Sequence, residues 1–138
     1  MPEFSNKSLN KLETCDARLI TLMEAVVRFQ DCTILYGTRS EEQQNELYNK
    51  GNSKVQYPNS KHNSYPSLAV DVAPYPIPKD WGETEKKEWV KFYQFAAIVI
   101  YEARRLGLNL RWGGNWDGDN DYTDQTFDDL VHFELIEG

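Results

Sequence analysis

Two histidines, His62 and His132, are the entire imidazole complement of this 138-residue chain, and a carboxylate lies within reach of each. His62 closes Ser60-Lys-His62, shortly before Leu68-Ala-Val-Asp-Val-Ala73, a segment that alternates as a strand. Leu68, Val70 and Val72 fall on one face and Ala69, Asp71 and Ala73 on the other. His132 stands in Asp129-Leu-Val-His-Phe-Glu134, where alternation turns Val131, Phe133 and Leu135 inward and leaves His132 and Glu134 together on the opposite face. If the two strands are neighbours, one sheet face offers Asp71 and His132, with His62 hanging over it. Two imidazoles and a carboxylate are the ligand types of a catalytic zinc site with an open fourth position. Three unrelated surface polar residues would give the same pattern, and residue types alone leave both readings standing.

The elements that must carry these residues are legible from periodicity. Leu9, Leu12, Leu19, Leu22, Met23, Val26 and Phe29 recur at helical spacing, predicting one or two helices over about 8–29 with Asp16 as an internal N-cap. Cys32 to Tyr36 reads as a strand. Ser40, with Gln43 three residues later, starts a helix through a capping box, and Gly51 ends it. Residues 51–66 read as a long surface loop, a length that in a compact domain is usually functional or mobile. Thr84 caps a helix to about Leu106 whose Trp89, Phe92, Phe95, Ala96, Val99, Ala103 and Leu106 form a core stripe closed by Gly107. A short strand, Leu108 to Trp112, and a final one, about Val131 to Ile136, complete the set. Helices and strands are segregated, so the expected class is α+β, a small, mostly antiparallel sheet with helices packed on it.

Composition narrows the function. At 40% hydrophobic and 27% charged, the chain is a single globular domain rather than a disordered or coiled-coil one. Its longest apolar run, Phe95 to Tyr101, is seven residues, far short of the ~20 needed to span a bilayer, so stable membrane insertion is not expected. The N-terminal residues lack the apolar segment of a secretory signal, which predicts residence in the cytoplasm or release from it by other means. The net charge of −7 is concentrated. Asp117 to Gly138 holds eight carboxylates and no Lys or Arg, leaving 14 acids against 15 bases before it. Without a basic stripe, nucleic acid is not an expected partner. Cys15, in a helical pattern, and Cys32, at the start of a strand, read as small packing residues.

Five segments in order, Tyr36-Gly-Thr-Arg39-Ser-Glu-Glu-Gln43, Ser60-Lys-His62, Ala69-Val-Asp71, Trp112-Gly-Gly-Asn-Trp116 and Asp129-Leu-Val-His132-Phe-Glu134, resemble the VanY-like zinc peptidases. That family comprises D-Ala-D-Ala carboxypeptidases and the L-alanyl-D-glutamate endopeptidases of bacteriophage lysis cassettes. The Trp112–Trp116 element and the single-domain size resemble the phage endolysin branch. The resemblance implies a hedgehog/D-Ala-D-Ala-peptidase-like fold and a Zn2+ cofactor held by His62, Asp71 and His132. It also implies Asp129 as catalytic acid/base and Arg39 as the side chain that binds and polarises substrate. Two features depart from the pattern. Eight residues separate His62 from Asp71 where many relatives have six, so the loop through Pro66 must bulge, and Asp128 stands beside Asp129 as a rival base.

The implied function is hydrolysis of the L-alanyl-D-glutamate bond in peptidoglycan stem peptides, for bacterial cell-wall lysis, by a monomer made in the host cytoplasm and acting on the wall after release. Two rivals remain: a D-Ala-D-Ala carboxypeptidase on the same site, and a non-catalytic wall-binding or structural module of the same fold. The carboxypeptidase needs a cation for a terminal carboxylate, and no further basic residue is evidently placed to supply it. The module has no use for Asp129. Around the site, Ser60 is a loop anchor or a substrate hydrogen-bond donor. Trp112 and Trp116 bracket a Gly-Gly-Asn turn and are candidates to line the cleft, core packing being the alternative. Glu134 reads either as a partner fixing the His132 tautomer or as an exposed strand residue.

Spacing raises one more cofactor. Asp117, Asp119 and Asp121 occupy positions 1, 3 and 5 of a calcium-loop register, with Thr123, Gln125 and Asp128 at 7, 9 and 12. Tyr122 stands where such loops carry glycine, and Asp128 replaces the bidentate glutamate. A regulatory Ca2+ site and a solvated acidic loop are both compatible with this stretch.

Overall fold

The computed structural model describes residues 3–51, 53, 55–78, 86–113 and 129–136, with residues 86–89 and Asp129 described by backbone alone. Helix α1 spans Asn6–Leu12 and α2 spans Ala17–Val27, so the N-terminal periodic stretch is two helices. Asp16 caps α2 by accepting from the Arg18 amide, as its position between the periodic runs predicts. The break between them has a use. Thr14, Cys15 and Asp16 run beside Ser67, with Asp16 N donating to Ser67 O at 2.9 Å and Ser67 N to Thr14 O at 2.8 Å. Cys15 therefore lies in the break and not in a helix, a correction to the helical reading: its backbone serves as a tie rather than a helical turn.

Four strands follow the expected order: β1 Cys32–Tyr36, β2 Ala69–Pro74, β3 Leu110–Gly113 and β4 Asp129–Leu135. They form one antiparallel sheet in the order β1-β2-β4-β3 with helices packed on it, which is the α+β arrangement expected. Helix α3, Glu41–Asn49, begins at the full Ser40–Gln43 capping box. Helix α4, Lys86–Arg105, buries Phe92, Phe95, Ala96, Val99 and Ala103 at helical spacing. It ends in a Schellman motif, with Leu108 N donating to Ala103 O and Gly107 N to Arg104 O. Gly107 takes φ +74°, which a side chain would oppose. The Thr84 cap lies outside the described residues, as does the side chain of Trp89.

Helices α2 and α4 cover one face of the sheet. Leu19, Leu22, Met23 and Val26 from α2 and the α4 stripe meet Ile34, Val70, Val72 and Phe133 in one apolar cluster. Each enclosed Phe contributes on the order of 1.5–3 kcal/mol by leaving water. All six residues of β2 are buried, Asp71 included at 4% exposure, so both faces of the strand are covered. The second face is covered by the chain around Arg39 and by a short 3-10 turn, Lys61–Asn63. The 51–66 segment is thus a surface loop only in part, since its far end drives His62 into the interior at 0% exposure.

Both cysteines are free and buried at 3% exposure, as packing residues are. Burial pushes the Cys15 thiol up to about 12, against a smaller lowering by its Thr14 hydrogen bond, and burial does the same to Cys32. A thiol is a nucleophile only as thiolate. Native protein at mildly alkaline pH is therefore expected to leave both cysteines unlabelled by iodoacetamide, with both alkylated once urea unfolds the chain. Mass spectrometry reads the result, and rapid labelling of native protein would contradict the packing.

Candidate functional site

The site is assembled on one row of residues crossing three strands. In β2–β4 pairing Asp71 stands opposite His132, and in β1–β2 pairing it stands opposite Tyr36. A bulge between Ile34 and Tyr36 inserts Leu35 without a partner and brings Tyr36 level with Asp71. The alternation that sends Val70, Val72 and Phe133 toward the helices sends Asp71, His132 and Glu134 to the other face. The third donor arrives on the 3-10 turn. Ser60 caps that turn, its hydroxyl accepting from His62 N at 3.1 Å while Asn63 Oδ1 accepts from Ser60 N at 3.0 Å. Of the two readings for Ser60, loop anchor is the contact seen.

Hydrogen-bond partners assign both imidazole tautomers. His62 Nδ1 donates to Gly37 O at 2.7 Å, which leaves a lone pair on Nε2. His132 Nε2 donates to Glu134 Oε1 at 2.8 Å, which leaves a lone pair on Nδ1. Those two nitrogens lie 3.3 Å apart, and each is 3.1 Å from Asp71 Oδ1. Burial pushes the Asp71 carboxyl up, but against protonated imidazoles the His62 charge and the hydrogen bonds of both rings overcome it and hold the group well below the usual carboxylate range. In the neutral tautomers the same nitrogens turn lone pairs toward it. Three lone-pair donors thus converge in a site where each residue is at most 6% exposed. A tetrahedral ion with ligand bonds of about 2.0–2.1 Å sets its donors about 3.3 Å apart, so the spacing fits such an ion. Two imidazoles and one carboxylate suit a borderline metal rather than calcium or magnesium.

Asp71's other oxygen is held by Arg39 NH2 in a buried ion pair. Arg39 is only 9% exposed; its NH1 donates to Gln44 Oε1 at 3.2 Å, and its guanidinium sits 4.4 Å over the Tyr36 ring. Here, then, Arg39 orients the Asp71 carboxylate, leaving Oδ1 turned toward the two imidazoles. Gln44 is fully buried and ties α3 down by donating to Ser53 Oγ and Val55 O. It escaped the sequence reading, although a polar residue one turn past a capping box and facing inward was the available signal.

Glu134 is 5% exposed and is therefore a partner of His132 rather than an exposed strand residue. Its Oε2 accepts from Arg111 NH2 at 2.9 Å and lies 3.1 Å from Lys61 Nζ. Lys61 and Arg111 were also missed. Arg111 is Glu134's register partner on β3, which only the strand pairing reveals. Of the two readings for Trp112, core packing is the one its described contacts match: at 3% exposure it stacks on Phe133 and donates from Nε1 to Leu130 O at 2.9 Å. Asp129 opens β4 opposite Gly113, with its side chain outside the described residues. Trp116, Asp128 and the calcium candidates Asp117, Asp119 and Asp121 lie outside them altogether.

Gly37 completes the geometry. A Cβ there would meet Thr14 Oγ1 at 2.2 Å and Lys11 O at 2.3 Å, so only glycine lets the carbonyl that fixes His62 sit this close to the α1–α2 break. Gly37→Ala is expected to cost about 1–3 kcal/mol through overpacking and to weaken metal binding roughly 10–100-fold by displacing that acceptor. Thermal melts and chelator competition measure the two effects, and unchanged metal affinity would contradict the role given to the carbonyl.

Glu134 carries a pH signature. Burial pushes its carboxyl up, but the His132 hydrogen bond and charge, then Arg111 and Lys61, hold it down at about 2 against an ordinary 4.5. A depressed carboxyl stabilises the fold above its unfolded pKa and loses that contribution as pH falls toward the folded value. In metal-free protein the stability gap between wild type and Glu134→Gln is therefore expected to narrow as pH drops from about 4.5 toward about 2. Urea titrations across that window test it, and a constant gap would contradict it.

Known proteins resemble this chain along nearly its whole length. The family model for phage L-alanyl-D-glutamate peptidase matches residues 2–136. The L-alanyl-D-glutamate peptidase of Escherichia phage T5 is 28% identical over 141 aligned residues, covering 97% of this chain and 98% of that protein. The crystal structure of Serratia marcescens L-Ala D-Glu endopeptidase ChiX matches with a TM-score of 0.73 at 24% identity, covering 98% of this chain and 91% of that one. At that identity the likeness is one of fold. Among the described residues, no helix is long and apolar enough to cross a membrane.

Proposed function

The chain belongs to the phage L-alanyl-D-glutamate peptidase family, and from that premise we propose that it is a zinc-dependent endolysin hydrolysing the L-alanyl-D-glutamate bond of peptidoglycan stem peptides. The observation that carries the reading is the convergence of His62 Nε2, His132 Nδ1 and Asp71 Oδ1, with the proton of each imidazole committed outward. These three residues would hold the ion. Zinc, when bound, supplies a Lewis acid for the scissile carbonyl and makes water acidic enough to attack at neutral pH.

The chain's own residues do the rest. Arg39 holds Asp71 so that one carboxylate oxygen faces the donors and the other cannot rotate in. Asp129, three residues before His132 on β4, is assigned the proton transfers. It takes a proton from the attacking water and returns it to the amine nitrogen as the C–N bond breaks, a role worth roughly 10²–10⁴-fold. The carboxypeptidase alternative gains no support from Lys61 and Arg111, which are both engaged by Glu134.

Purified muropeptides with intact stems test the reading by mass spectrometry. The expected product pair is separated at the alanine–glutamate bond, is lost after chelation, and returns with zinc but not magnesium. Asp129→Ala is expected to retain zinc while losing at least about 100-fold in turnover. His62→Ala and His132→Ala are expected to lose both. Release of terminal alanine instead of cleavage after L-alanine would replace the function with the carboxypeptidase one, and activity surviving complete metal removal would end the metallopeptidase reading.

A further inference from the structure

Glu134 receives more than one hydrogen bond requires. One carboxylate oxygen accepts from His132 Nε2, while the other faces two cations from different elements, Lys61 on the 3-10 turn and Arg111 on β3. Lys61 directly precedes His62 and also donates from Nζ to the Leu135 carbonyl on β4. The turn bearing one imidazole is thereby fastened to the strand bearing the other. We propose that Glu134, locked by Lys61 and Arg111, is a positioning residue that selects the Nε2–H tautomer of His132, and that Lys61 is the strut that fixes the two histidine mounts relative to each other. The proposal rests on the metal-site reading above and not on the identity of the scissile bond.

The argument turns on what each group can donate. An ionised carboxylate only accepts, so it can face His132 on one side and two cations on the other without conflict. An amide of the same shape has one accepting oxygen and one donating NH2. In Glu134→Gln, Lys61 and Arg111 both claim the oxygen, and the NH2 turns toward His132. Nε2 must then accept, and the imidazole proton moves to Nδ1, the atom that faces Asp71 and His62. A metal at the donor cluster meets an N–H in place of a lone pair. Charge, not shape, is what the position needs. Removing the two cations reverses the conflict, because the amide is then free to turn its oxygen back to His132. A carboxylate that merely filled space would show neither effect.

The test reads the tautomer in metal-free protein at alkaline pH, where imidazoles are neutral, by long-range proton–nitrogen NMR. Zinc affinity is read separately by chelator competition. Wild type is expected to carry the His132 proton on Nε2. Glu134→Gln is expected to move it to Nδ1 and to weaken zinc binding about 10–100-fold. Adding Lys61→Met and Arg111→Met in that background is expected to restore the Nε2 proton and part of the affinity. Wild type with its proton on Nδ1, or Glu134→Gln with an unmoved proton and zinc affinity within about twofold of wild type, would overturn the proposal. If Glu134→Gln fails to fold, Lys61→Met alone carries the test, because its side chain is one-third exposed. Several-fold weaker zinc binding then supports the strut, and wild-type affinity overturns it. Neither readout involves hydrolysis, so a protein that holds zinc this way yet spares muropeptides would refute the proposed function and leave this inference standing.

Discussion

Three lone pairs cannot be held within 3.3 Å of one another in a buried site unless every proton nearby has somewhere else to go. That constraint organises the structure around it. The His62 proton goes to the Gly37 carbonyl, the His132 proton goes to Glu134, and the second Asp71 oxygen is claimed by Arg39. Each acceptor or donor in this outer ring is itself fixed. Gly37 is wedged against the α1–α2 break, Glu134 is clamped by two cations, and Arg39 is gripped by Gln44 and the Tyr36 ring. A metal ligand's partner sets both its tautomer and its aim, so the ring matters nearly as much as the ligands.

The sheet supplies the registration. Tyr36, Asp71 and His132 stand in one row only because the β2–β4 pairing is in phase and the Leu35 bulge brings β1 back into it. A slip of one residue would turn Asp71 into the apolar core and Val70 or Val72 into the site. Burial of Val70, Val72 and Phe133 beneath α2 and α4 makes that slip costly, so the packing that stabilises the fold also sets the donor geometry. Helix α3 does for Arg39 what the sheet does for the ligands, since its capping box fixes the backbone just after the guanidinium's mount.

Much of this was legible in the residues. Period and caps locate the helices, because Asp16, Ser40 and Gly107 act through local hydrogen bonds and backbone freedom that need no tertiary context. Alternation places Asp71, His132 and Glu134 on one face for the same reason. The features that escaped depend on pairing across the chain. Arg111 meets Glu134 only through β3–β4 register, and Lys61 reaches it only because the turn folds back over β4. Cys15 looked helical because its neighbours are periodic, while a tie to Ser67, fifty-two residues on, decides its backbone. Trp112 illustrates the limit of motif reasoning. The glycines after it suggest an approachable turn, but alternation along β3 sends its ring into Phe133 and Tyr93.

The two faces of the sheet also divide the energetics. Helices α2 and α4 close an apolar core on the face away from the donor cluster, so most of the hydrophobic burial lies apart from the ligands. The opposite face buries an ionised carboxylate among imidazoles, where desolvation works against the charge and only neighbouring positive groups offset it. A cation at the donors supplies that offset directly. By linkage, an ion bound only by the folded state adds stability as the logarithm of one plus the ratio of its free concentration to its dissociation constant, about 4 kcal/mol at a thousandfold excess. The apolar face therefore supplies most of the buried hydrophobic area, and the polar face fixes the geometry of the donor cluster. Arg39, Gly37, Lys61 and Glu134 act on that geometry through the ligands they touch.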